Sequence, residues 1–259
     1  MSLATHELEV RYADRVVVRP LSLVLGAGEL IGLIGPNGAG KTSLIRSLAG
    51  IPSAGARVSW QGRTLRQIPA DERARTIAYL AQTPQANWPL TVRELVELGR
   101  LPHCRFGQRL SPADHGAVVR AMEWTDTELL ADRPVDTLSG GERMRAHLAR
   151  AFAVDAPVLL VDEPTASLDP FHQLSVMRLL GEYRDAGRLV VAVLHDLNLA
   201  LAHCTRLLLM DEGAIVADGE PRNVIDAGTL ARHYRIHAFL AEHENRRIAV
   251  PWAILDAHE

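Results

Sequence analysis

The sequence predicts a mixed α/β fold built on a buried parallel sheet, and three observations predict it. Apolar runs at Leu30–Ile34, Val158–Val161 and Leu189–Leu194 are short and uninterrupted, as strands covered on both faces are. The first runs directly into a glycine-rich loop and then a helical pattern. Between about 83 and 150, apolar residues recur only at helical spacing, which predicts a helical stretch, about the size of a subdomain, between two strand-bearing parts of the chain. A chain of 259 residues holds one α/β unit plus such a subdomain. At 47% hydrophobic and 23% charged residues, it is neither disordered nor fibrous. The net charge of −3 offers no broad basic surface, so no nucleic-acid partner is expected. The run Leu189–Leu194 is as long as any apolar stretch and falls far below the roughly 20 residues of a membrane span.

Taken in chain order, residues 1–80 supply early strands and the loop. Gly35, Pro36, Asn37, Gly38, Ala39, Gly40, Lys41 and Thr42, with Ser43 next, fit G-x-x-x-x-G-K-[ST] after the strand LIGLI. The following helix carries Leu44, Ile45, Leu48 and Ala49 on one face and stops at Gly50, with Pro52 beyond. Glycines at these positions let backbone N–H groups curl around an anion, and the helix N-terminus adds its positive dipole end. Lys41 would reach the β and γ phosphates of a nucleotide, and the Thr42 hydroxyl would ligate Mg²⁺. A merely tight strand-to-helix turn would need the glycines but neither Lys41 nor Thr42. Composition singles out the same place: of 28 basic residues, 27 are Arg and the remaining one is Lys41. A compact ammonium is required there, where a planar fork would not fit.

Three helix starts follow. Thr91 with Glu94 makes a capping box before Val92, Leu95, Val96 and Gly99, and Ser111 followed by Pro112 opens a helix with Ala117, Val118, Ala121 and Met122 apolar. In Leu138–Glu142 (LSGGE), Ser139 caps and Glu142 closes a third box, ahead of Met144, Leu148, Ala151 and Phe152. Capping does not require Gly140 and Gly141, which cost about 1 kcal/mol each in a helix. Bare N–H groups at a dipole end that attracts anions explain them, giving the chain a second phosphate-seeking helix start.

The remaining runs place acids and a histidine at strand ends. Asp162 follows Val158–Val161, where doubly wound sheets bind ligands, and would hold Mg²⁺. Glu163, on the opposite side of the pleat, could polarise an attacking water. His195, after Leu189–Leu194, could bond a γ-phosphate or that water. Cys104 and Cys204 are far apart and lack CxxC spacing, pointing to a reducing compartment; His103 beside Cys104 is too little for a metal site. Cys204 falls on the packed face of a helix with Leu197, Ala200 and Leu201. The opening MSLATHELEV has no basic stretch followed by an apolar one, so no export signal is expected.

With these motifs in this order, the sequence resembles the ATP-binding subunits of ABC transporters over nearly all of residues 5–225. The resemblance makes Gly35–Thr42 the Walker A loop, Val158–Asp162 the Walker B strand, Glu163 the catalytic glutamate and Leu138–Glu142 the signature. It makes Gln82 the glutamine that contacts Mg²⁺ or water and senses the membrane partner. Ser167, Leu168 and Asp169 become the D-loop, His195 the switch histidine, and Tyr12 the aromatic that stacks on adenine. An aromatic in an early strand packs about as often as it stacks, so both roles stay open for Tyr12. Met144 stands where the family more often has Gln.

The resemblance also implies a fold with a P-loop NTPase core of ABC ATPase type in residues 1–228, the helical subdomain at about 83–150, and ATP and Mg²⁺ as cofactors. It implies a homodimer in which one copy's Walker A loop and the other's signature enclose each ATP. Partners would be two polytopic permease subunits, with a periplasmic or extracellular substrate-binding protein acting indirectly, and the location the cytoplasmic face of the inner (plasma) membrane. TVRELVELGRLPH, PTASLDP and VVAVLHDLNLALAHC look most like metal-chelate importers of haem, ferric siderophore or cobalamin. A soluble ABC ATPase of the Fe-S assembly type is the alternative. A P-loop GTPase would need an Asn-Lys-x-Asp base reader, which a chain with a single lysine lacks. Trp88, Phe106 and Trp124 either line the groove where membrane subunits dock or pack in the core. His233, His237, His243 and His258 suggest either a metal or a mixed surface, with a short helix and a strand at ARHYRI and RRIAVPWAIL; residues 229–259 have no functional account.

Overall fold

A computed structural model describes residues 1–51, 57–82, 89–104, 108–244 and 246–255. Pro52, Trp88, Phe106 and His258 lie outside the described residues. The chain runs β1 (Ser2–Tyr12), β2 (Arg15–Gly26), β3 (Leu30–Ile34), α1 (Lys41–Leu48), β4 (Val58–Trp60), β5 (Arg63–Thr64), α2 (Ala70–Thr76) and β6 (Ile77–Leu80). The helices α3 (Val92–Glu97), α4 (Pro112–Trp124) and α5 (Gly140–Ala153) follow. Then come β7 (Val158–Asp162), α6 (Pro170–Asp185), β8 (Leu189–Val193), α7 (Leu197–His203), β9 (Arg206–Asp211) and β10 (Ala214–Gly219). Two short helices, α8 (Pro221–Val224) and α9 (Ala227–Thr229), and a π-helical turn at Leu230–Tyr234 lead to a ribbon of β11 (Ile236–His243) and β12 (Arg246–Ile254).

The central sheet has the order β10-β9-β3-β8-β7-β6 and is parallel except for the β10–β9 pair. Its middle strands β3, β7 and β8 are buried throughout, because successive side chains feed two different cores. Leu30, Ile34, Leu159, Val161, Val190 and Ala192 join the core shared with the helices, while Ile31, Leu33, Val158, Leu160, Val191 and Val193 join the one shared with α1 and the antiparallel sheet β2-β1-β4-β5. Parallel pairing brings the carboxyl ends of β3, β6, β7 and β8 to one edge, so Gly35, Gln82, Asp162 and His195 converge there from four segments.

The three helix starts read from the sequence all carry capping boxes, the one at Ser111 closing on Asp114 rather than Glu. A buried ion pair fastens these helices together. Arg100 Nε donates to Asp114 Oδ1 at 2.9 Å, and Arg100 Nη1 to the Ala153 carbonyl at 2.7 Å, tying α4 to the end of α5. The Asp114 carboxyl is pushed down to about 2, first by the Ser111 hydroxyl, then by the Ser111 amide and Arg100. Removing one partner leaves the other charge buried and unpaired, so Arg100→Ala is expected to cost about 3–5 kcal/mol in a urea titration. Because the folded carboxyl is depressed, Asp114's contribution is fully present above its unfolded value of about 3.9. It is lost as pH falls toward about 2, and a stability series across that window checks it.

Trp124 is partly buried and packs against the core. Its ring lies 4.9 Å from Phe152 and 5.6 Å from Tyr183, and its Nε1 donates to Glu182 Oε2 at 2.8 Å. Cys204 is buried, its thiol pushed up to about 12 by burial, as a packing residue should be. At the end of the chain the expected helix and strand are joined by β11, which sequence did not reveal. Ala238, Ala241 and Glu242 are poor strand formers, and β11 exists by pairing with β12 along its length. The ribbon is pinned by Asn198 of α7, whose amide exchanges hydrogen bonds with the Ala249 backbone at 3.1 and 2.9 Å. His233 meets Asp211 at 2.9 Å, and no cluster of metal-ligating side chains occurs among the described residues.

Candidate functional site

The loop after β3 turns sharply because Gly35 adopts φ 144° and Gly40, the residue before α1, φ 103°. A Cβ at Gly35 would come 1.9 Å from the Met210 carbonyl, so only glycine lets the loop press against β9. Asn37, Gly38, Gly40, Lys41, Thr42 and Ser43 line an open cleft of about 220 Å³ with Val17, Glu163 and His195. Pro36 and Ala39 line a neighbouring hollow that extends the cleft along Arg15, Val16 and Arg19 of β2. Val17 carries no signal in the sequence, since it reaches the loop only through the packing of a separate sheet.

Lys41 is 6% exposed, with its Nζ folded back to donate to the carbonyls of Gly35 at 2.8 Å and Pro36 at 2.9 Å. Burial lowers its affinity for a proton, and the carboxylates of Glu163 and Asp162 oppose that. Thr42 Oγ1 donates to Asp162 Oδ1 at 3.3 Å. Asp162 is 1% exposed, and burial raises its carboxyl above the usual range. Its second oxygen, Oδ2, is buried without a hydrogen-bond partner. An orphaned carboxylate oxygen next to a hydroxyl oxygen is a hard, oxygen-only donor set, and it fits a divalent cation such as Mg²⁺.

Glu163 departs from what the strand pattern predicts. It does not sit across the pleat from Asp162: β7 ends at Asp162, and Glu163 takes a left-handed φ of 53°. Such a conformation is rare for a side chain with a Cβ, and here it turns the carboxylate toward its neighbours from β6 and β8. Gln82 Nε2 donates to Glu163 Oε2 at 2.6 Å, and His195 Nε2 lies 2.7 Å from Glu163 Oε1. The structure thus brings Gln82, Glu163 and His195 together at the mouth of the Lys41 loop. Tyr12 ends β1 with 46% exposure, so it is not a core residue.

Ser139, Gly140, Gly141 and Glu142 do not line this cleft. They form the first turn of α5, in which Glu142 Oε2 accepts from the Ser139 amide at 2.9 Å. Arg143 holds the preceding turn through the carbonyls of Val135, Asp136 and Leu138. The two glycines have different reasons. A Cβ at Gly140 would make only ordinary contact with Leu168 at 3.7 Å, leaving its place open to an approaching anion. A Cβ at Gly141 would collide with the His172 ring at 2.0 Å, so packing requires glycine there independently of any need for a bare N–H. Asp169 caps α6, its Oδ1 accepting from the His172 amide at 3.0 Å. His172 was missed in the sequence, although a position three residues after an aspartate cap is where a capping partner would be sought.

The sequence profile of the ABC transporter family matches residues 18–166. A probable siderophore transport system ATP-binding protein, YusV of Bacillus subtilis (strain 168), is 40% identical over 86% of this chain and 82% of its own length. A hemin import ATP-binding protein, HmuV of Pseudomonas entomophila (strain L48), is 39% identical over 92% of this chain and 94% of its own. Among solved structures, a chain of a metal-chelate type ABC transporter in an inward-facing conformation superposes with a TM-score of 0.83 at 24% identity, covering 98% of this chain and 97% of that one.

Proposed function

The chain belongs to the ABC transporter family, and from that premise we propose that it is the ATP-hydrolysing subunit of an importer that takes up a metal chelate such as haem, a ferric siderophore or cobalamin. The observation that carries the chemistry is the carboxylate of Glu163, held between Gln82 and His195 beside the buried Lys41 ammonium. In this assignment Lys41 and the backbone N–H groups that the Gly35–Ser43 loop offers, Pro36 having none, bind the phosphates of ATP, while Tyr12 stacks on its base. Asp162, Thr42 and Gln82 hold Mg²⁺, which supplies charge neutralisation on the phosphate oxygens when bound. Glu163 takes the proton of the attacking water, and His195 keeps the carboxylate aimed at it.

The fold supports a shared site. One copy's cleft lacks the turn Ser139–Glu142, and that turn carries an open amide face at Gly140. A second copy placed head to tail would supply it, along with Asp169, so that ATP joins the two chains and hydrolysis releases them. Ser139→Ala is expected to leave nucleotide binding by the monomer intact and to weaken ATP-dependent dimerisation about 10-fold, the worth of one hydrogen bond to a charged group. Light scattering with and without ATP checks this, and an unaffected dimer would contradict the shared site.

No helix among the described residues is long and apolar enough to cross a membrane. Uptake would therefore be carried by separate polytopic permeases that this subunit docks on from the cytoplasmic face, through the helices α3–α5 between β6 and β7. Affinity capture from detergent-solubilised membranes tests the importer assignment: polytopic proteins are expected in the captured complex. A complex of soluble proteins alone would favour the Fe-S assembly type instead.

A further inference from the structure

The turn that precedes α6 and the turn that starts α5 are fastened to each other by one side chain. Asp169 Oδ1 accepts the His172 amide at 3.0 Å, while Asp169 Oδ2 accepts from His172 Nδ1 at 2.7 Å. An ionised carboxylate only accepts, so Nδ1 carries the proton and the ring orientation is set. The opposite side of that ring lies against Gly141, where a Cβ would stand 2.0 Å from Cδ2 and 2.5 Å from Cγ. Leu168 lies beside Gly140 at only ordinary contact distance, 3.7 Å from where a Cβ would stand, and the Phe171 ring abuts His172 edge-on at 5.3 Å. Ser167 takes a left-handed φ of 60°, so the turn that delivers Asp169 has a conformation its neighbours must enforce.

We infer that His172 is a positioning residue that locks the Ser167–Asp169 turn to Ser139–Glu142, so that both meet a second copy's nucleotide as one rigid element. This rests on the shared-site assignment above. The hydrogen bond at Nδ1 and the close packing of Cδ2 against Gly141 together hold the ring in this orientation. The amides of Gly140–Glu142 are thereby held at a fixed angle to Asp169. Gly141 is glycine because the imidazole occupies the space that a side chain would need.

The test uses the full chain in two backgrounds. Dimerisation is measured by light scattering with ATP in a Glu163→Gln parent, and kcat is measured in the otherwise unaltered chain. His172→Ala is expected to lower kcat about 10-fold and weaken the ATP-dependent dimer about 10-fold. Titration with a fluorescent ATP analogue should show monomer binding within about 2-fold of the parent, which separates positioning from loss of fold. His172→Asn puts an amide N–H near the place of Nδ1 and should return kcat to within about 3-fold of normal. Gly141→Ala alone should abolish the dimer, and adding His172→Ala should restore it to the level of His172→Ala alone, because the ring no longer fills the space. A His172→Ala chain with normal kcat and a normal dimer would overturn the inference, as would a double variant no better than Gly141→Ala. A parent that forms no ATP-dependent dimer would overturn the shared-site assignment and this inference with it, whereas a normal parent beside an unaffected His172→Ala overturns this inference alone.

Discussion

Glu163→Gln is expected to reduce ATP turnover by about 10² to 10⁴, the usual worth of a positioned base, while nucleotide binding survives. Gln has nearly the shape of Glu, so the Gln82 contact at 2.6 Å can persist through the remaining oxygen and the left-handed turn at φ 53° is not further strained. What Gln lacks is the ability to accept a proton from water. Binding should not suffer, because Glu163 is an anion lining the cleft that the triphosphate enters, and its neutralisation removes a repulsion. Phosphate release at saturating ATP measures the first effect and titration with a fluorescent analogue the second. Near-normal hydrolysis would show that His195 or an unassigned group takes the proton instead.

Contiguous signals were legible and convergent ones were not. The strand runs ending at Ile34, Asp162 and His195 and the capping boxes at Thr91 and Ser139 are written in adjacent residues, so periodicity and spacing sufficed. The meeting of Gln82, Glu163 and His195 depends on three parallel strands ending at one edge: strand ends alone point Glu163 and His195 at the same water, whereas Gln82 is anticipated only by the family resemblance. The turn at Glu163 escapes strand alternation, which says nothing about a residue that leaves the strand with positive φ. Gly141 shows the same limit. Its open N–H is a local property, but the imidazole that forbids a side chain there arrives from α6. The strand β11 went unseen because its stability comes from pairing with β12 and from Asn198, not from its own residues.

Replacing the single lysine separates charge from shape. Lys41→Ala should weaken ATP binding about 10²-fold, consistent with the ~2–5 kcal/mol typical of truncating a buried, hydrogen-bonded charge partner. Lys41→Arg keeps the positive charge, and in a chain that uses Arg at its 27 other basic positions it would pass as conservative. It is nevertheless expected to fail nearly as badly. The ammonium satisfies itself with two carbonyls, Gly35 at 2.8 Å and Pro36 at 2.9 Å, at a site only 6% exposed. A guanidinium brings five N–H donors in a rigid plane to that space, so several would be buried without acceptors and the loop would have to open. Opening is resisted where Gly35 already lies in contact with the Met210 carbonyl. Thermal midpoints with and without ATP measure the outcome, since a ligand that binds the folded state raises the midpoint in proportion to its affinity. The expected result is an ATP-induced rise lost in both variants, with the midpoint without ATP lowered in Lys41→Arg by its buried, unpaired donors. An ATP-induced rise retained in Lys41→Arg would mean that the loop asks only for a positive charge.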